Sequence, residues 1–339
     1  MTSMILTVIL TILMLMIITI PHEFGHLITA KLFRIKVNEF AIGMGPLIAS
    51  KDRGETKYSI RAIPIGGFCS MEAENEESDE EGAFNNKPAW QRLIVLASGA
   101  AVNVLVALIL MIIITIYVGV PTNTLDKVLP DSPAAAVGIF AGDEIISIDG
   151  KNSSSWADTV TAISKNANGK NMEVVVNRDG KEHTFIITPK KDKDGRLVIG
   201  IVSRASHNVF LCTGQGVKVT WRLNSQMIGA LKQMAHKGLS KDSVTGPVGM
   251  AGLVSKTAHT GILSYLYLVA IISLNMAIVN LLPFPALDGG RIIFVIARKV
   301  TGNMISAKAE GYMHLVGFAV LISLFVFITW QDLMRLLGH

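Results

Sequence analysis

At 339 residues, half of them apolar and only 17% charged, the chain is too hydrophobic for an ordinary soluble protein, in which about 25% of residues carry charge. A mean hydropathy of +0.47 excludes a disordered chain and makes lipid the solvent for part of it. The net charge of +5 fits basic cytoplasmic loops, and no basic patch interleaved with aromatic residues points to nucleic acid as a partner.

The first element, Ile5 to about Pro21 with a continuation towards Lys31, is long and apolar enough to enter a hydrocarbon layer that takes about 20 residues to cross. No basic residue precedes it and no A-x-A site follows, so it reads as a retained anchor and not a signal peptide. Pro21 is expected to kink this helix or to start a new helical segment. Segment 34–69 alternates apolar and polar residues at Arg34–Asn38 and Tyr58–Arg61, and Gly43, Gly45, Pro46, Pro64, Gly66 and Gly67 punctuate it. It reads as a β-hairpin with apolar tips that dips into the protein at membrane depth, where irregular backbone survives only if protein or water satisfies it. The run Glu72–Glu81 reads as a solvated acidic loop.

A second span covers Leu93–Val118. Segment 122–204 then changes character, with short strands at Met172–Asn177 and His183–Thr188 and turn signals at Asp179-Gly180 and Asp194-Gly195. Its string from Ser132-Pro133-Ala134 through Gly142-Asp143-Glu144-Ile145 to Gly150 resembles the bacterial PDZ pattern, which implies a small α+β module that binds extended peptides at a sheet edge. Segment 215–240 mixes apolar residues with Lys218, Arg222, Lys232 and Lys237, and reads either as an interfacial helix or as an ordinary surface helix. Gly261 to about Leu282 and Leu315–Trp330 are the third and fourth spans. Lys and Arg concentrate in 31–92 and 283–310, which places those loops in the cytoplasm and both termini outside. On that topology Cys69 and Cys212 lie on opposite sides and cannot pair. The expected organisation is a multi-pass protein of the plasma or inner membrane. It comprises a membrane part over 1–121, an extracytoplasmic module over 122–204, an amphipathic segment over 205–260 and a second membrane part over 261–339.

The chemistry concentrates in His22-Glu23-Phe24-Gly25-His26. Positions i and i+4 share a helix face, so two neutral imidazoles can hold one zinc ion with the adjacent Glu23 as general base. Ionisable groups at the end of an uncharged membrane helix are costly, and their presence points to function. A catalytic zinc takes three protein ligands and leaves one position open. Asp288 is the best third candidate: Pro283 and Pro285 break the helix before it, and Gly289 and Gly290 follow it. The alternative reading of Asp288 alone is an interfacial helix cap.

These motifs, together with Thr245-Gly246-Pro247-Val248-Gly249 and Asn280–Gly290, resemble the site-2 protease family, and within it the bacterial regulator-of-sigma-E protease subgroup, over nearly the whole chain in the same order. The resemblance implies a polytopic helical membrane protein with four transmembrane helices, a membrane-re-entrant β-hairpin and one PDZ-like domain. It implies zinc held by His22, His26 and Asp288, with Glu23 as base. Substrate contacts are expected from Asn280, Pro283, Pro285, Gly66 and Gly67, the hairpin receiving the substrate as an added strand. Asn103, after Ser98-Gly99-Ala100-Ala101, resembles the family's A-A-G-P-x-x-N stretch with Ala100 in place of its proline. The implied substrates are single-span membrane proteins, such as anti-sigma factors or remnant signal peptides. The short connection Val120-Pro121 suggests that the module keeps bulky substrates from the zinc. A metal transporter or sensor would use the same ligands without Glu23, and a peptide-binding scaffold would need neither.

Overall fold

The computed structural model describes residues 2–74, 78–166, 170–238, 246–301 and 307–336. Residues 75–77 of the acidic run and Thr245 lie outside the described residues. In chain order the elements are α1 (Thr2–Leu32), β1 (Val37–Arg53), β2 (Thr56–Met71), α2 (Ala89–Val118), β3 (Val120–Val128), α3 (Pro133–Ala136), β4 (Glu144–Ile148), β5 (Lys151–Asn152), α4 (Trp156–Lys165), β6 (Met172–Arg178), β7 (Lys181–Ile187), β8 (Lys190–Lys191), β9 (Leu197–Val198), β10 (Ile201–Ser206), α5 (Val209–Lys237), α6 (Pro247–Thr260), α7 (Ile262–Asn280), α8 (Asp288–Thr301) and α9 (Ala307–Leu336). They pack as two compact units, Met1–Met111 with Val217–His339, and Ile112–Gly216.

Among the described residues four helices are long and apolar enough to cross a membrane: Met4–Leu32, Ala89–Val118, Ile262–Asn280 and Ala309–Arg335. Each runs to or beyond the stretch read from hydropathy, except that α7 ends at Asn280. Helix α1 runs through Pro21, so no new helical segment starts there. A proline removes one amide donor from the helix ladder, and packing on both sides of Pro21 holds the helix through that gap. Towards the N-terminus, Met14 and Ile18 are buried against Tyr265, Leu268 and Val269 of α7, and the Tyr265 hydroxyl donates to Leu10 O at 2.9 Å. Towards the C-terminus, Gly25 lies so close to α2 that a Cβ there would stand 2.8 Å from Ser98 O. Such small-residue contacts are how membrane helices approach without a hydrophobic driving force.

The hairpin β1–β2 exists, but it is doubled over. Residues 39–42 pair with 67–70 on one side and with 57–60 on the other. The fold-back lies at Gly43 and Gly45 on one strand and Gly66 on the other, all at positive φ. A Cβ at Gly43 would meet Ile63 O at 2.6 Å, so the crossing requires glycine there. Exposed Met44, Leu47, Ile48, Ile63 and Ile65 cluster around the bend. The apolar end is therefore the fold-back, while the turn at Gly54-Glu55 returns to share a cavity of about 610 Å³ with Lys31 and Arg34.

Gly246 caps α6 with no side-chain bond of its own, and Asp332 of α9 accepts from Gly249 N–H at 2.8 Å instead. Before α8, a Cβ at Gly289 would stand 2.3 Å from Leu282 O, and one at Gly290 2.2 Å from Phe284 O. The glycine pair thus lets the preceding turn fold onto the helix start. Along α5, Phe210 and Trp221 are 87% and 72% exposed, with Val217 and Ile228 on the same stripe.

The second unit carries a sheet in the order β10-β3-β4-β6-β7, with β5 on β4 and β8 paired to β9. Leu125, Ile139, Ile145, Ile148, Met172, Val174 and Val176 form its core. Ser132 and Ser155 cap α3 and α4. Buried Asp143 receives Arg178 Nε at 2.7 Å and Nη2 at 2.8 Å, and Phe140 N–H at 2.9 Å. Burial works against its charge, but these hydrogen bonds outweigh it and hold the carboxyl below the usual range. Cys69 and Cys212 are both free and buried.

Candidate metal centre

Helix α1 carries His22 and His26 one turn apart, both buried. Asp288 enters from the start of α8. His22 Nε2 lies 3.3 Å from His26 Nε2, and the Asp288 Oδ2 atom lies 3.3 Å from the first and 3.5 Å from the second. Three donors bound tetrahedrally to zinc at 2.0–2.1 Å stand about 3.3–3.4 Å from one another. The triangle fits that ion without rearrangement. Asp288 Oδ2 is buried with no hydrogen-bond partner, the condition of a carboxylate oxygen reserved for a cation.

The surroundings set the imidazole tautomers. His26 Nδ1 lies 2.8 Å from Val95 O, so Nδ1 carries the proton and Nε2 keeps its lone pair for a metal. His22 Nδ1 lies 3.4 Å from the Asn103 amide nitrogen, while Asn103 Oδ1 is buried without a partner. Amide oxygen and nitrogen exchange places by a flip, and the flipped amide gives His22 Nδ1–H its acceptor. Asn103 is held in turn by Ser273, whose hydroxyl donates to Asn103 O at 2.8 Å. A Cβ on Gly99 would fall 2.5 Å from His26 Nε2 and 2.6 Å from His22 Cε1. Glycine at 99 lets α2 lie directly against the histidine pair.

Glu23 points towards the hairpin. It shares the cleft wall with Cys69 of β2, and a Cβ at Gly67 would stand 3.5 Å from Glu23 Cγ. Together His22, Glu23, His26 and Asp288 line a cleft of about 370 Å³ whose other walls include residues 68–71 of β2, Leu96 of α2, Ala286 and Arg291 of α8. Asn280 closes on the histidines, its Nδ2 3.1 Å from His22 Nε2. Gly66, Pro283 and Pro285 do not line this cleft; Gly66 faces Met44, and Pro285 packs against Gly317 of α9.

Sequence reading passed over several residues here. Arg291 follows Asp288 by three positions on one helix face, a spacing that could have marked it. It pairs with Glu74. Nothing local marks Cys69, because its role depends on the strand it sits in.

The family profile described as Peptidase family M50 matches residues 10–324. The chain is 36% identical over 315 residues to a protein of Clostridium perfringens named as a zinc metalloprotease, covering 92% of this chain and 94% of that one. It is 28% identical over 402 aligned positions to the regulator of sigma-W protease RasP of Bacillus subtilis, covering 93% and 95%. Among solved structures, the PDZ domain of an SdrC-like protein from Listeria monocytogenes matches at 30% identity with a TM-score of 0.22, over 25% of this chain and 86% of that one.

Proposed function

Because the chain belongs to peptidase family M50, the site-2 proteases, we propose that His22, His26 and Asp288 hold its zinc ion and that Glu23 is the general base. Family membership makes the protein a zinc metalloprotease of the membrane. The observation that carries the ligand assignment is the donor triangle, with one buried carboxylate oxygen left unpartnered.

Zinc, when bound, lowers the pKa of water to about 7 and polarises a carbonyl. The chain supplies the rest. His26 Nδ1–H and His22 Nδ1–H are held by Val95 O and Asn103, which aims both Nε2 lone pairs at one point. Glu23 takes the proton of the attacking water at its carboxylate and passes it to the departing amine as the peptide bond breaks. Asn280, beside His22, is placed to donate its amide hydrogen to the substrate backbone. A transmembrane substrate must first unwind, which strips its amides of their helical partners. Residues 67–71 of β2 run beside Glu23 as the outer strand of the doubled hairpin, and a substrate added there as a further strand recovers those hydrogen bonds.

The substrates on this reading are single-span membrane proteins, anti-sigma factors or remnant signal peptides among them. The similarity to the regulator of sigma-W protease of Bacillus subtilis supports a place in sigma-factor control. The fold-back end of the hairpin lies at membrane depth, α5 lies along the bilayer surface, and both termini are extracytoplasmic. The test is Glu23→Gln with a single-span reporter substrate. The variant should keep its fold and its zinc but fail to cleave. A metal carrier or a non-catalytic scaffold would be indifferent to the change, so near-normal cleavage removes Glu23 from the mechanism.

A further inference from the structure

Asp288 is delivered by the turn Leu281–Leu287, and each backbone amide of that turn can be traced. Leu281 and Leu282 donate to the last turn of α7, Phe284 to Leu282 O, and Leu287 to Phe284 O. Pro283 and Pro285 have no amide hydrogen. Ala286 remains. Its φ of +77° is a left-handed conformation that a residue with a Cβ adopts only when its surroundings impose it.

The surroundings are on α9. Ala286 N–H donates to His314 Nδ1 at 2.8 Å. An imidazole that accepts at Nδ1 carries its proton on Nε2, and Nε2 faces Glu310 Oε1 at 3.7 Å. Glu310, one turn earlier on the same face, is ion-paired at 2.6 Å with Arg298 of α8. All three side chains are buried. One turn after His314, Gly317 brings the helix backbone against Pro285, where a Cβ would lie 2.5 Å from Pro285 O. Buried ionisable groups at the head of a membrane helix call for a use, and neither the donor triangle nor the cleft includes these three.

We infer that His314 is a positioning residue for the third metal ligand. Buried beside the Arg298–Glu310 pair, it accepts the Ala286 amide and fixes the left-handed turn two residues before Asp288, so that Oδ2 is preset opposite the two histidines. The inference rests on the zinc assignment above.

The test uses the full-length, zinc-loaded protein and reads two quantities: the rate of zinc transfer to a chelator, and the visible spectrum of the cobalt(II)-substituted form. The amide oxygen of His314→Asn stands where Nδ1 stood and can accept the Ala286 amide. The head group of His314→Gln stands at the Nε2 position and cannot, and His314→Leu offers no acceptor at all. His314→Leu and His314→Gln should release zinc roughly tenfold faster or more and shift the cobalt bands, whereas His314→Asn should stay close to the parent. Parental release and spectrum in all three, or His314→Asn as impaired as His314→Leu, overturns the inference. If His314→Leu does not fold, the Asn and Gln pair decides alone. Asp288→Asn is measured alongside. If it holds zinc as tightly as the parent, the ligand assignment has failed. If it loses zinc while His314→Leu keeps it, only the positioning role has failed.

Discussion

Glu23 lies one residue beyond the first histidine, which turns its side chain out of the donor triangle and towards Gly67 of β2. Replacing it with Gln keeps size and packing but removes proton acceptance, so turnover should fall about 100- to 10,000-fold with zinc content unchanged. The second residue-scale prediction concerns space. Gly99→Ala adds one methyl group 2.5 Å from His26 Nε2, a contact that must move a ligand. The variant should keep its helix content by circular dichroism yet lose bound zinc, and one zinc per chain would show that α2 can yield. Removing metal with a chelator should abolish cleavage in the parent, and adding zinc back should restore it. The histidine pair and Asp288, whose donor atoms the structure brings together, could be singled out because helix period, proline and glycine are local signals. The part played by Asn103 was not, because its partner His22 is 81 residues away.

At the scale of elements, alternation in 34–69 announces strands but not their partners. Periodicity fixes which face a residue takes, and it is blind to a hairpin doubling back on itself. The glycines that permit the fold-back were visible; their purpose depends on Ile63 O and other atoms across the bend. Pro21 starts no new segment for a related reason, since helix breaking is a local tendency that packing on both flanks overrides. The second unit offers a stability test. Asp143, with a side chain 2% exposed, is tied to Arg178, and Asp143→Asn should cost about 2–3 kcal/mol, measurable by hydrogen exchange at β4 and β6. The folded-state carboxyl is depressed, so its contribution is present above the unfolded value of about 3.9 and is lost as pH falls through the lower folded value. The variant should lose that dependence below about pH 4, and protection that still falls identically there would assign the effect to other groups.

For the whole molecule, four apolar helices were readable from hydropathy because lipid imposes length and composition directly. The side on which each loop lies follows only from the distribution of Lys and Arg. A cysteine replacing Asp52 should react with an impermeant maleimide only from the cytoplasmic side, and one replacing Asn152 only from outside; the reverse pattern would invert the topology. The module over 122–204 is expected to act by exclusion. Its deletion with a short linker should permit cleavage of substrates that still carry a bulky extracytoplasmic domain. A folded, zinc-loaded deletion protein that still cleaves only trimmed substrate would end that idea.

The central claim is that three side chains from two distant segments hold one zinc. Zinc stoichiometry of purified His22→Ala, His26→Ala and Asp288→Asn, measured beside the parent and Glu23→Gln, tests it most directly. The account predicts one zinc per chain in the parent and in Glu23→Gln, and loss of tightly held zinc in each of the other three. A full complement of tightly held zinc in any of those three would contradict it.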